Sequence, residues 1–114
     1  MKDCLFCKII DKEIPANIAY EDEHVLAFHD ISPQAPAHLL VIPKKHIPTL
    51  NDLTNEDTHT IGHMVQTGQK LANQLGHGDD GYRLVMNCNQ HGGQTVYHIH
   101  LHILAGRQLE WPPG

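Results

Sequence analysis

YHIHLHIL, the stretch from Tyr97 to Leu104, decides the fold of this chain because it combines strand periodicity with three evenly spaced histidines. Side chains alternate between the two faces of a β-strand, so residues two apart share a face. His98, His100 and His102 therefore line one face, about 6.5–7 Å apart. The residues between them are apolar and point into the core: Ile99, Leu101 and Ile103. Burial of this apolar row fixes the register of the strand, and with it the positions of the imidazoles.

Three interpretations of the histidine row compete. The row can be a solvated polar face, a zinc site built from imidazoles, or a catalytic histidine with two helpers. The spacing alone does not separate a metal site from a catalytic one, so the neighbouring sequence has to decide.

A loop rich in hydrogen-bond donors runs directly into the histidine strand. Gly92 and Gly93 allow the backbone to approach a ligand, and their amides can turn toward an anion. Asn87, Gln94 and Thr95 add neutral donors. An ordinary Gly-Gly turn is the alternative. The position of this donor-rich loop beside the histidines favours a phosphate site over a site for a metal ion alone.

Composition limits the classes of partner. The 114 residues fit one domain, 1–114, and 40% of them are hydrophobic, enough for one core. The net charge is -5, with no basic stripe, so we expect neither nucleic acid nor an anionic membrane as a partner. No run approaches the roughly 20 apolar residues of a membrane span, and charges interrupt the N-terminal segment where a secretory signal would be apolar.

Cysteine and histidine usage points to intracellular site chemistry. Three cysteines, two of them in a C-x-x-C pair, do not form a disulfide framework. We therefore expect a reducing, cytoplasmic location, with the pair free or metal-bound. The count of 11 histidines is high for a chain of this length, and histidine is the side chain most suited to titration, metal binding and nucleophilic attack.

The rest of the chain predicts an antiparallel α+β domain. Apolar spacing predicts a short helix over 5–12 and a long helix capped by Thr54 and ended by Gly76. The predicted strands are 18–20, 25–28, 38–42, 82–87 and 96–104. Connections too short for crossovers make the five-stranded sheet antiparallel, with one long and one short helix.

The segment 92–104, GGQTVYHIHLHIL, resembles the signature of the histidine triad (HIT) family, in its Hint branch of nucleotide-binding phosphoramidases. The resemblance extends along nearly the whole chain, through KEIP at 12–15, AFHDISPQAP at 27–36, VIPKKH at 41–46 and WPPG at 111–114. A lone H-x-H-x-H would be moderate evidence, whereas this set in this order is highly specific.

The resemblance implies a HIT-like fold whose sheet extends across a homodimer into ten strands. It also implies metal-independent hydrolysis of purine nucleoside phosphoramidates, such as adenosine 5′-phosphoramidate or an aminoacyl-AMP. By matching position, His100 would be the nucleophile and would form a nucleotidyl-histidine that water then hydrolyses. The backbone carbonyl of His98 would hold one ring nitrogen of His100. His102 and His38 would contact phosphate oxygens and manage leaving-group protons and charge.

The resemblance also assigns the substrate pocket. Asn87, Gly93, Gln94 and Thr95 would bind phosphate, and Thr95 stands where relatives often have serine. The residues that would surround the nucleoside are Leu5, Phe6, Ile9, Phe28, His29, Asp30, Ile31 and Leu40. Asp30 would accept the ribose hydroxyls. Plain core packing is the alternative for Phe6, Phe28 and Ile31.

A structural zinc is a further implication, since some branches of the superfamily hold one with C-x-x-C and two histidines. The matching residues are Cys4, Cys7, His46 and His98, which would form a closed tetrahedral site. Two small buried thiols in the first helix are the alternative. Catalysis would need no cofactor, and Cys88 is expected to be buried.

Three rival functions stay open. The same fold serves dinucleotide hydrolases and nucleotidyltransferases, although the WPPG ending favours a phosphoramidase. A nucleotide-binding adaptor would keep the pocket without using its chemistry. A zinc-dependent hydrolase would use the histidine row as metal ligands.

Overall fold

The computed structural model describes residues 3–114 and contains five strands and three helices in that range. The elements in chain order are α1 (Leu5–Ile10), β1 (Ile18–Glu21), β2 (Val25–His29), β3 (Ala37–Pro43), α2 (Thr58–Gln74), β4 (Tyr82–Val85), α3 (Asn89–Gly92) and β5 (Leu101–Ala105). Two 3-10 turns, Leu50–Asp52 and Asn55–Asp57, lead into α2. No helix within 3–114 is long and apolar enough to cross a membrane.

The five strands form one antiparallel sheet in the order β1-β2-β3-β5-β4. β5 lies between β3 and β4, with Leu40 opposite His102 and His102 opposite Val85. The predicted five-stranded antiparallel sheet is confirmed, and the interior strand β5 carries His102.

The two faces of the sheet carry separate cores. Helix α2 packs on one face, where Met64 and Leu71 meet Ile99, Leu101 and Ile103. Helix α1 covers part of the other face. Its core consists of Phe6, Ile9, Leu26, Phe28, Leu40 and Ile42. The predicted alternation is therefore present, since the apolar row faces α2 while the histidines face the side of α1.

The structure corrects the extent of the histidine strand. β5 begins at Leu101 rather than Val96. Before it, the Ile99 N–H donates to the Ile47 carbonyl at 2.8 Å instead of to the ladder. The chain thus leaves β3 near Pro43. Proline has no N–H group, so it cannot donate a further hydrogen bond to the ladder. His98 and His100 precede the strand and are held by loop contacts.

Other boundaries also differ from the predictions. Helix α1 ends at Ile10, because Lys12 adopts a left-handed φ of 63°. β4 ends at Val85 rather than Asn87, and the donor-rich loop contains the short helix α3. Thr54 caps the 3-10 turn before the long helix, through a capping box with Asp57, and α2 itself begins at Thr58.

Candidate active site and adjoining metal site

A pocket of about 250 Å³ opens on the α1 side of the sheet. Its floor contains the rings of Phe6 and Phe28, and its rim carries Asp30 and the exposed Ile31. The catalytic candidates His100 and His102 lie in the same wall. An apolar cleft with a few convergent polar groups is the usual form of a small-molecule site.

His100 is held by the backbone immediately before it. Its Nδ1 lies 2.8 Å from the carbonyl oxygen of His98, and the residue is only 6% exposed. A carbonyl only accepts hydrogen bonds, so Nδ1 carries the proton and Nε2 keeps its lone pair. The Phe6 ring packs edge-on against this imidazole, 5.1 Å between centroids. The expected His98–His100 contact is present, and it leaves a nucleophilic nitrogen free.

A second set of hydrogen bonds fixes the tautomers of His38 and His102. The Gln34 N–H donates to Nδ1 of His38 at 3.0 Å. Nε2 of His38 therefore carries a proton, which it donates to Nδ1 of His102 at 2.9 Å. Asp30 lies 3.5 Å from the same Nε2. The remaining N–H of His102 is then on Nε2, available to a ligand in the pocket.

Burial keeps this histidine cluster uncharged near neutral pH. Desolvation lowers the pKa of His102 to about 4, helped by repulsion from His100 and His38. Desolvation also lowers the pKa of His100 and of His38. A neutral His100 can attack, and a neutral His102 with Nε2–H can donate one hydrogen bond.

The structure brings most of the predicted pocket together. The nine predicted residues that line it are Leu5, Phe6, Ile9, Phe28, His29, Asp30, Ile31, Leu40 and Thr95. Core packing accounts in part for Phe6 and Phe28, which are buried, but not for Ile31, which is 99% exposed. Sequence reasoning missed four lining residues: Ile14, Pro15, Ala16 and Val96. The KEIP segment was a usable signal for two of them.

The expected phosphate loop is more structural than its composition suggests. Gln94 is buried, and its amide donates to the carbonyls of Pro48 and Val96 while accepting from the Asn89 N–H. Both amide protons are therefore engaged, so we assign the Gln94 side chain to the loop rather than to a ligand. Gly93 ends α3 with a left-handed φ of 80°.

Three further predicted residues do not line the pocket. Neither Asn87 nor Gly93 lines the cavity wall. His38 is also absent from the lining, since both of its nitrogens face protein groups. His38 therefore orients His102 in this structure, and its contact with phosphate stays a prediction.

The HIT domain family model matches residues 11–109. This chain belongs to the HIT family. The purine nucleoside phosphoramidase of Escherichia coli (strain K12) is 54% identical over 108 residues, covering 95% of this chain and 91% of that protein. The predicted family is therefore confirmed.

Solved HIT structures agree with the fold. The HIT family hydrolase from Legionella pneumophila Philadelphia 1 has a TM-score of 0.97 and 56% identity, over 98% of this chain and all (100%) of the other. A Zn-bound histidine triad family protein from Mycobacterium smegmatis has a TM-score of 0.81 and 38% identity, over 93% of this chain and 76% of the other.

Beside the pocket histidines, this HIT protein carries a cluster of two thiols and two imidazoles. Sγ of Cys4 lies 3.3 Å from Nδ1 of His98, and Sγ of Cys7 lies 3.4 Å from Nδ1 of His46. The two Nδ1 atoms are 3.2 Å apart. All four ligand atoms lie within 4.8 Å of one another, as a tetrahedral site requires.

The protonation of the cluster also suits a metal. Nε2 of His98 donates to the Pro43 carbonyl at 2.8 Å, so Nδ1 keeps its lone pair and faces the thiols. Burial raises the pKa of the Cys7 thiol, with Cys4 adding to the shift. Two adjacent thiolates, one of them buried, need a cation beside them, and Zn²⁺ with two sulfur and two nitrogen ligands fits these residues. Cys88 lies outside this group and is partly exposed rather than buried.

Proposed function

We propose that this HIT protein hydrolyses the P–N bond of purine nucleoside 5′-phosphoramidates, with His100 as the nucleophile. The observation that carries the proposal is the bond from Nδ1 of His100 to the His98 carbonyl, which leaves Nε2 unprotonated at the wall of the pocket. The relative from Escherichia coli, named a purine nucleoside phosphoramidase, supports the same reaction.

In the first step, Nε2 of His100 attacks the α-phosphorus and the P–N bond breaks. The amine departs with its bonding electron pair and takes a proton from water. Nδ1 of His100 keeps its proton, so the ring becomes cationic, and the His98 carbonyl stabilises that charge. Water then attacks the nucleotidyl-histidine and gives a proton to the hydroxide left by the first step. The N–P bond breaks, its electron pair returns to Nε2 of His100, and a nucleoside monophosphate leaves.

His102 acts in this scheme as a hydrogen-bond donor. Its Nε2–H points a dipole at the phosphoryl oxygens, where negative charge increases in the transition state. Because its Nδ1 accepts from His38, loss of the Nε2 proton would leave an imidazolate. A neutral ring so arranged stabilises charge rather than supplying a proton to the amine.

The nucleoside occupies the outer part of the pocket. Asp30 would accept the ribose hydroxyls through Oδ2, since Oδ1 already accepts the Ser32 N–H at 2.8 Å. Ile31 and Phe28 supply an apolar surface for the base. An almost fully exposed isoleucine beside Asp30 gains burial when a base covers it.

We also propose that Zn²⁺ occupies the Cys4, Cys7, His46 and His98 site and has a structural role. With four protein ligands the ion would have no open position for substrate. Its effect on the reaction is indirect, because His98 supplies both a ligand nitrogen and the carbonyl that holds His100. Reduced thiols are needed for this site, which supports a cytoplasmic location.

A homodimer completes the proposal, with the sheets joined through β4. β4 is an edge strand, and edge strands expose backbone groups that pair with another chain. Beside β4, Val65 on α2 is 40% exposed, and Ile61 on the same helix is partly buried. The opposite edge, β1, is exposed along its whole length and carries the Lys12–Glu21 ion pair. Sedimentation should give the mass of two chains.

The deciding experiment is hydrolysis of an adenosine 5′-phosphoramidate by wild type and His100→Ala, each with and without a zinc chelator. We expect wild type to cleave under both conditions and the variant to lose at least about 10³-fold in rate. Complete loss of turnover on chelation, with the protein still folded, would instead make the histidines a catalytic metal site. If neither protein cleaves but both bind AMP, the adaptor function replaces the enzymatic one. Cleavage of dinucleotides in preference to phosphoramidates would favour the dinucleotide hydrolases of the same fold.

A further inference from the structure

A second group of histidines lies outside the pocket, where the turn between β1 and β2 meets the first half of α2. Its members are His24 in the turn and His59 and His63 one helical turn apart on α2. The ring centroids form a nearly equilateral triangle, 5.8 Å from His24 to His59, 5.8 Å from His24 to His63, and 6.1 Å from His59 to His63. Neither the proposed reaction nor the thiol cluster uses these residues.

The triangle has nearly the size that a three-imidazole metal site requires. With metal–nitrogen bonds of about 2.0–2.1 Å, ring centres lie roughly 3 Å from the ion and about 5 to 5.5 Å from one another. The observed separations exceed this by less than about 1 Å. Imidazoles are common ligands of Zn²⁺, Ni²⁺ and Cu²⁺.

One of the three rings is already oriented by a carboxylate. Nε2 of His63 donates to Oδ2 of Asp22 at 2.7 Å, so Nδ1 of His63 keeps its lone pair. A carboxylate that holds the outer nitrogen of a histidine ligand is the usual support of a protein metal site. Asp22 is itself fixed, since Oδ1 accepts from the backbone N–H groups of His24 and Val25 and Oδ2 also accepts from the Tyr20 hydroxyl.

The other two rings are free to complete the site. The His24 side chain is 48% exposed and His59 lies at the surface, so both can rotate. Rotation is needed, because the ring nitrogens of the three residues do not meet within 4.8 Å of one another as those of the thiol cluster do. Glu23, 3.3 Å from Nε2 of His24, adds negative charge beside the triangle.

We propose that His24, His59 and His63 form a surface site for a divalent transition-metal ion, with Asp22 orienting His63. The site lies on the α2 side of the sheet, opposite the pocket and the thiol cluster. A bound ion would join the β1–β2 turn to α2. It would raise the free energy of unfolding by RT ln(1 + [metal]/Kd).

The test uses full-length, untagged protein loaded with zinc at the thiol cluster and titrated calorimetrically with Ni²⁺, which does not oxidise thiols. Wild type should bind one Ni²⁺ ion per chain. The Kd for this ion should be at least about tenfold higher in each of His24→Gln, His59→Gln and His63→Gln. The same Ni²⁺ concentration should raise the melting temperature of wild type more than that of each variant.

A matched control separates this site from general histidine binding. His77→Gln removes a partly exposed histidine beyond the end of α2 and should bind Ni²⁺ like wild type. Equal stoichiometry and affinity in wild type and all three site variants would overturn the proposal. If only the two helix variants weaken binding, the site is a two-histidine helix chelate and the three-ligand proposal is wrong. Because His59 is exposed and makes no hydrogen bond to the β1–β2 turn, His59→Gln reports binding even if another variant folds poorly.

Discussion

Nδ1 of His100 donates to the carbonyl oxygen of His98, two residues earlier in the chain, at 2.8 Å. A single peptide carbonyl thus selects the tautomer of the proposed nucleophile. The ring of His98 points into the thiol cluster, where its own tautomer is selected by Pro43. His98 therefore connects the proposed metal site to the reacting nitrogen through its own backbone.

The first prediction follows from this tautomer. Nitrogen NMR of the free protein should show His100 with a protonated Nδ1 and an unprotonated Nε2 at pH 7. A slowly hydrolysed phosphoramidate should then produce a phosphorus signal attached to Nε2, which His100→Ala cannot form. An Nε2–H tautomer in the free protein would contradict the assignment, because no lone pair would then face the pocket.

The second prediction concerns His38, which we place behind His102 rather than against phosphate. A glutamine at this position can present its amide nitrogen near the place of Nε2, whereas an asparagine cannot reach it. We therefore expect His38→Asn to lower kcat by up to about 10²-fold and His38→Gln by much less, with small changes in KM. Equal losses in kcat for the two variants would show that donation to His102 is not what matters.

The third prediction is a dependence of stability on pH through His102. Its pKa is about 4 in the folded protein, below the usual 6.5 of an unfolded histidine. The unfolded chain therefore binds the proton more readily between these values, and the stability present above pH 6.5 is lost as pH falls toward 4. Urea unfolding at pH 7.5 and 4.5 should show a smaller loss for His102→Gln than for wild type. An identical loss in both would mean that His102 is not buried in its neutral form.

The sequence was sufficient for the sheet and for most of the pocket. Alternation at Ile99, Leu101 and Ile103 predicted which side chains face the core, and the structure buries all three. The pocket residues around Asp30 and Ile31 followed from the family resemblance, and they do line one cavity.

Other features depend on contacts distant in sequence, which periodicity cannot report. The start of β5 is set by the bond from Ile99 to Ile47, and no local pattern encodes that partner. The sequence predicts Gln94 as a donor to a ligand, but its side-chain amide donates to the Pro48 carbonyl. The His24–His59–His63 triangle requires the β1–β2 turn to meet α2, which neither segment shows alone.

The last prediction tests the thiol cluster by metal removal. We expect elemental analysis to find one zinc ion per chain in wild type and none in the double variant Cys4→Ser with Cys7→Ser. Binding to the folded state alone stabilises it by about 4 kcal/mol when free metal exceeds Kd by 1,000-fold, so the unfolding midpoint should fall in the variant. Chelation of wild type should lower the midpoint by a similar amount and change the variant little.

Cys88→Ser is the matched control, since Cys88 is a free thiol outside the cluster and should keep both zinc and stability. Zinc retained by the double variant, or lost by the control, would place the ion elsewhere. Because His98 connects this site to His100, we also expect a partial loss of kcat in the double variant and in chelated wild type alike, while the KM for a phosphoramidate changes little. That pattern would follow from a displaced carbonyl rather than from a damaged nucleoside pocket.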